Sequence, residues 1–127
     1  MPTKIHPSIL TNGITDVEPF REWGQHLATA RDEKGRDAKL TTAQIRKFFG
    51  EVKKIQADFE NKKGEIILLT PKLAYAVGRD KGKIGLKSLY DLLTPLIAEI
   101  NKDKARFRVF VQVFEAIVAY HKEFVKE

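Results

Sequence analysis

Residues Lys104–Lys122 read KARFRVFVQVFEAIVAYHK, and the assignment of this stretch decides the fold. Its centre, Val109-Phe110-Val111-Gln112-Val113-Phe114, has the β-branched and aromatic composition of a strand. The longer pattern is helical. Phe107, Phe110, Val111, Phe114, Ile117, Val118 and His121 recur on one face, Val109, Val113, Ala116 and Tyr120 form a second, and only Arg108, Gln112, Glu115 and Lys122 leave a polar strip. A period near 3.6 held over about five turns outweighs local strand propensity, so a helix is predicted from Lys104 to about Lys126. Being apolar over most of its circumference, it needs neighbours on several sides and is predicted to be central.

Working outward, Leu86, Leu89, Tyr90, Leu93, Leu96, Ile97 and Ile100 mark an amphipathic helix in which Pro95 removes a backbone donor and predicts a bend near Asp91. Thr41 and Gln44 form a capping box. Behind them Ile45, Phe48, Phe49, Val52, Ile55 and Phe59 make a stripe that ends near Asn61-Lys62-Lys63-Gly64. Thr70-Pro71 reads as an N-cap followed by proline at the first helical position, giving a helix that turns Leu73, Ala74 and Val77 inward and stops at Gly78. Ala74, Ala76 and Gly78 would let another backbone approach closely. Glu65-Ile66-Ile67-Leu68-Leu69 suits a buried strand or a helical turn equally. Val17 to about Arg31 carries Phe20, Trp23, Leu27 and Ala30 at helical spacing with Asp16 as N-cap, and the polar stretch Asp32–Lys39 reads as an exposed linker. The expected architecture is all-α: a small bundle of four to six helices forming one domain over 16–127, preceded by an extended segment 1–15.

The 127 residues suit one domain. With no cysteine, disulfides, thiol catalysis, thiolate zinc sites and iron–sulfur clusters are excluded. No apolar run is long enough to span a membrane and the N-terminus lacks an apolar leader segment, so a cytoplasmic protein with no membrane partner is expected. Three Asn and four Gln beside many Lys and Glu lean toward a thermophile source.

The net charge of +6 is unevenly placed. Residues 1–40 and 88–127 are each balanced at six basic against six acidic, while residues 41–87 hold eleven basic against five acidic and so carry the whole excess. Localised cations are the footprint of a polyanion partner, because each one near a phosphate releases condensed counterions. On the Thr41 helix Arg46 and Lys53 are seven residues apart, as are Lys47 and Lys54, on the side away from Phe48, Val52 and Phe59. Cations repeating every two turns lie about 10 Å apart along the axis, a rail able to follow a nucleic-acid backbone. The same face could simply be solvated, or could meet an acidic protein as a helical adaptor. Arg79, Lys81 and Lys83 sit in a glycine-punctuated loop that could offer cations and backbone donors to a phosphate, or remain a solvated turn.

Catalysis finds little support. His6, His26 and His121 are scattered and lack partners at metal-ligand spacing, acidic residues are interspersed with cations, and Gly78-Arg79-Asp80-Lys81-Gly82-Lys83-Ile84 lacks the spacing and hydroxyl of a phosphate-binding loop. No catalytic residue, metal site or cofactor is expected.

Three stretches, Leu40-Thr41-Thr42-Ala43-Gln44-Ile45-Arg46-Lys47-Phe48-Phe49, Leu69-Thr70-Pro71-Lys72-Leu73-Ala74-Tyr75-Ala76-Val77-Gly78-Arg79 and Phe114-Glu115-Ala116-Ile117-Val118-Ala119-Tyr120-His121-Lys122, resemble in order and spacing the small subunit of type III-A CRISPR effector complexes, the second subunit of the Csm complex. The resemblance covers roughly the last two thirds of the chain; nothing is carried over to residues 1–39. It implies a non-catalytic helical protein of antiviral defence, present in several copies that stack beside the backbone subunit along guide RNA and target RNA. The implied partners are those RNAs, the backbone and large signalling subunits, and further copies of itself. Arg46, Lys47 and Arg79 are the matched residues assigned to RNA; Lys53, Lys54 and Lys83 join them on charge and spacing alone. Specificity would come from base pairing with the guide while the protein contacts phosphate and ribose.

Overall fold

The computed structural model describes residues 2–127 and holds seven α-helices among them: α1 (Ile9–Asn12), α2 (Glu18–Thr29), α3 (Thr42–Ala57), α4 (Phe59–Lys62), α5 (Leu69–Arg79), α6 (Ile84–Ile100) and α7 (Lys104–Phe124). Two are single turns, so five longer helices build the bundle, and one antiparallel bridge, Arg31 with Asp37, is the strand-type pairing among the described residues. The helical assignment of 104–122 holds. Asp103 opens α7 by accepting the Arg106 N–H at 2.9 Å, and α7 packs against α1, α2, α3 and α6. Its apolar faces carry a file of rings. Phe59, Phe107, Phe110 and Phe114 follow one another at centroid separations of 5.6, 6.2 and 6.2 Å, and Phe49 meets Phe114 edge-on at 5.4 Å. Phe107, Phe110, Phe114 and Ile117 are buried while Arg108, Gln112, Glu115 and Lys122 face outward. The β-branched centre costs the helix little because its side chains meet neighbours all round.

Several boundaries differ from expectation. The segment 1–15 is not simply extended: it contains α1, and Ile5 and Leu10 join the core. Helix α2 starts at Glu18 with Val17 at the cap position; Asp16 accepts the Glu18 N–H at 3.0 Å from one residue further out. Of the two readings open for residues 65–69, the helical turn is the one found and the strand is not. A 3₁₀ turn, Lys63–Glu65, runs on through i to i+3 bonds from Leu68 N to Glu65 O and Leu69 N to Ile66 O, which buries Ile66 and Leu69 and leaves Ile67 and Leu68 outside. Helix α5 therefore begins at Leu69, before Thr70-Pro71, and Pro71 is tolerated because first-turn amides have no partner within the helix. Ala74 is exposed rather than inward, and no neighbour lies close to Gly78. Helix α6 begins at Ile84 and runs through Pro95, with Thr94 Oγ1 donating to Tyr90 O at 2.7 Å.

The stretch 32–39, expected as an exposed linker, is a closed loop. Ala38 N donates to Ala30 O and Asp32 N to Arg36 O, both at 2.9 Å. Its exit is stitched to three helices: Leu40 N to Leu27 O at 2.8 Å, Gly85 N to Ala38 O at 2.8 Å, and His121 Nε2–H to Leu40 O at 2.6 Å. Gly85 is required there, since a Cβ would overlap the Leu40 amide. Gly24 has a like role between α2 and α7, where a side chain would overlap Tyr120. This clasp fixes where α3 starts.

Candidate nucleic-acid interface

Helix α3 opens with the capping box the sequence announced: Gln44 N donates to Thr41 Oγ1 at 3.1 Å and Thr41 N to Gln44 Oε1 at 3.0 Å. Ile45, Phe48, Val52 and Ile55 are buried, and Arg46, Lys47, Lys53 and Lys54 are all exposed. At about 100° per residue the four cations do not form one line. Arg46 and Lys53 make one row and Lys47 and Lys54 another, straddling Gly50, around which a Cβ would find open space. The Arg46 row borders α7: Lys53 Nζ lies 5.7 Å from the centre of the Phe49 ring, which rests on Phe114. The Lys47 row borders α5.

Between α3 and α5 lies a cleft of about 900 Å³. Lys47, Lys72 and Arg79 line it together with Glu51, Asp80 and Gln44, over an apolar floor that includes Phe48 and Leu86. Glu51 bridges the two helices, 3.3 Å from Lys72 Nζ and 3.9 Å from Lys54 Nζ. The hydrogen bond from Lys72 holds the Glu51 carboxyl below its ordinary value, aided by the Lys54 and Lys47 charges. Arg46, Lys47, Lys53 and Arg79 take part in no salt bridge among the described residues, whereas Lys54 and Lys72 share Glu51. Lys83 is half-buried at the cap position of α6 and does not line the cleft. The structure thus brings Lys47 and Arg79 together, sets Arg46 and Lys53 on the opposite edge of α3, and leaves Lys83 apart. Lys72 and Tyr75 are cleft residues that sequence reasoning missed; the spacing Lys72, Tyr75, Arg79, at i, i+3 and i+7, already placed them on one side of a helix.

The histidines serve the fold. His26 lies 3.2 Å from Ser88 Oγ, and burial lowers its pKa. His121 is buried, and desolvation lowers its pKa against the opposing effect of its bond to Leu40 O. Among the described residues no three His, Asp or Glu side chains gather as a metal-binding group, and no helix is long and apolar enough to cross a membrane.

A strand-free bundle built on one central helix, with surplus charge on and beside one exposed helix face, defines a small all-α protein with a basic surface. The family model described as Csm2 Type III-A matches residues 21–127, reaching back well before the motifs that begin at Leu40. The chain belongs to the Csm2 family and is thereby a subunit of a type III-A CRISPR complex. Neither the search of curated proteins nor that of solved structures gives a match.

Proposed function

We propose that this Csm2-family subunit is non-catalytic and works in the cytoplasm, holding the backbones of guide and target RNA through the outward face of α3 while its copies stack beside the other subunits of the complex. The observation that carries the reading is the concentration of the whole charge excess between residues 41 and 87, with Arg46, Lys47 and Lys53 exposed and unneutralised by any ion pair among the described residues. Two rows of cations flanking the bare surface at Gly50 suit a sugar–phosphate chain, which needs close approach and charge but offers no side-chain pockets to fill. Arg46 and Lys53 carry most of the contact in this reading, with Lys47, Lys54, Arg79 and Lys83 assisting.

Binding to single-stranded RNA should be indifferent to sequence and weaken with salt. If each copy neutralises two to four phosphates, log affinity falls with log salt at a slope of about −1.5 to −3, from roughly −0.7 per phosphate. Arg46→Glu with Lys53→Glu should reduce affinity more than about tenfold with helicity unchanged. Lys122→Glu with Lys126→Glu, the same charge change in a balanced segment, should cost far less. Equal losses from both pairs would reduce the face to net charge alone. No loss from either, with an acidic protein partner lost instead, would favour the adaptor.

A further inference from the structure

The cleft between α3 and α5 joins three kinds of surface, of which a phosphate chain uses only the cations. Tyr75 stands in its wall at 71% exposure, an aromatic face that no other ring covers among the described residues. Phe48 and Leu86, both buried, give it an apolar floor. Lys47 from α3 and Arg79 from α5 face it, and neither takes part in a salt bridge among the described residues. Lys72 is not free, since Glu51 holds it at 3.3 Å. Two carboxylates complete the lining. Glu51 is shared by Lys72 and Lys54, while Asp80 takes only a long 3.5 Å contact from the Gln44 amide and so keeps acceptor capacity.

We propose that this cleft receives the base of one unpaired nucleotide, stacked on Tyr75 over the apolar floor, with its phosphate at the rim between Lys47 and Arg79. A free mononucleotide and one residue of an RNA strand share this chemistry; for the strand, the inference rests on the RNA reading above and extends it from phosphate and ribose to a base. A bare phosphate chain has no use for Tyr75 or the floor, and Glu51 and Asp80 oppose its entry. An acidic peptide meets the same opposition. A purely apolar segment would bury the carboxylates and the two free cations without partners. A nucleotide matches every part of the lining, with a flat apolar face, a phosphate, and an edge whose N–H groups donate to a carboxylate. The carboxylates thereby set its direction, admitting the uncharged base and keeping the phosphate at the mouth. All four bases carry at least one such N–H, and stacking asks only for a π-face, so the site tolerates any base. Its volume of about 900 Å³ is in the range of small-ligand sites.

Titrations of the full chain with short single-stranded RNA, with adenosine monophosphate and with ribose phosphate test this. Tyr75→Ala should weaken RNA binding about tenfold with the salt slope unchanged, because stacking releases no counterion, and Tyr75→Phe should restore it. Lys47→Ala with Arg79→Ala should flatten the slope instead. Helicity should be kept throughout, since all three side chains are exposed. Adenosine monophosphate should bind, lose affinity on Tyr75→Ala, and outcompete ribose phosphate, which lacks the base. Arg46→Glu with Lys53→Glu, on the far edge of α3, should weaken the strand yet leave adenosine monophosphate bound as in the wild type. A Tyr75→Ala effect on RNA alone retains the proposal with the strand as ligand, and an effect on adenosine monophosphate alone retains it with the free nucleotide. The second outcome in a chain that binds no RNA removes the RNA reading and nothing else. Wild-type affinities of Tyr75→Ala for both ligands, binding of neither by the wild type, or ribose phosphate bound as tightly as adenosine monophosphate would overturn the proposal. So would copies that cease to associate on Tyr75→Ala while both ligands bind as before, which would hand the cleft to a protein.

Discussion

The outer faces of α3 and α5 lie side by side and are built oppositely. Along α3 the exposed positions are Ala43, Arg46, Lys47, Lys53, Lys54, Gln56 and Ala57, with no large apolar group, while Tyr75 on α5 and Ile67 and Leu68 in the turn that leads into it stand in solvent, with Lys72 and Arg79 exposed on the same helix. Glu51 lies where they meet and holds one lysine from each. Charge without apolar area attracts a polyanion and is screened by salt; apolar area with charge at its rim selects a folded surface. The two surfaces meet in the cleft, where Lys47 and Arg79 belong to both.

The most severe way to break the contrast is through the core. Phe110→Ala should cost about 3 to 5 kcal/mol, and chemical denaturation should show it as a lowered midpoint. Phe110 is fully buried between Phe107 and Phe114, so RNA binding and association should fail together. If one survived unchanged, the two faces would not share a single cooperative core.

A milder effect separates them through pH. His121 is held neutral, its pKa lowered below 6.5 by burial, so the stability it lends is complete above that value and is lost as pH falls through the depressed folded value. The thermal midpoint should drop between pH 7.5 and 5, and amide exchange should rise first around Thr41–Ile45, beside the carbonyl that His121 holds, before α5 responds. His121→Gln should flatten part of the pH slope, the remainder belonging to His26, which burial depresses likewise. An unchanged slope in that variant would remove His121 from the account.

The smallest effect sharpens the boundary. Glu51→Gln removes the carboxylate shared by Lys54 and Lys72. RNA affinity should rise about twofold, as expected for freeing exposed cations from a weak surface pair. An unchanged or lower affinity would mean that the Lys47 row of α3 does not meet phosphate.

What could be read in advance was what short spacings encode. The capping box of Thr41 and Gln44, the stripe from Ile45 to Phe59 and the long period of 104–122 are local patterns, and each became helix, although the stripe expected to run unbroken to about Asn61 is divided at Asp58 into α3 and α4. The start of α5 was hidden because five residues, Glu65 to Leu69, are too few for a period, and the burial of Ile66 and Leu69 that set it is tertiary. The loop 32–39 looked like linker because polarity says nothing of bonds formed by Ala38 and Leu40 to residues in α2, α6 and α7. On the candidate site, the cations were legible one by one. Their division into two rows follows from helical spacing alone, but the joining of Lys47 with Arg79 across a cleft needed the packing of α5 against α3.

The clasp on Ala38 and Leu40 has a consequence for how the protein is made. Helix α3 lies in the middle of the chain, yet of the three bonds that fix its entry only the one to Leu27 is upstream, and the other two come from Gly85 and His121, far downstream. On a ribosome the basic helix emerges long before either partner. It is latched to the body only once residue 121 is out, so the surface bearing Arg46 and Lys53 acquires its final orientation at nearly the last step of synthesis.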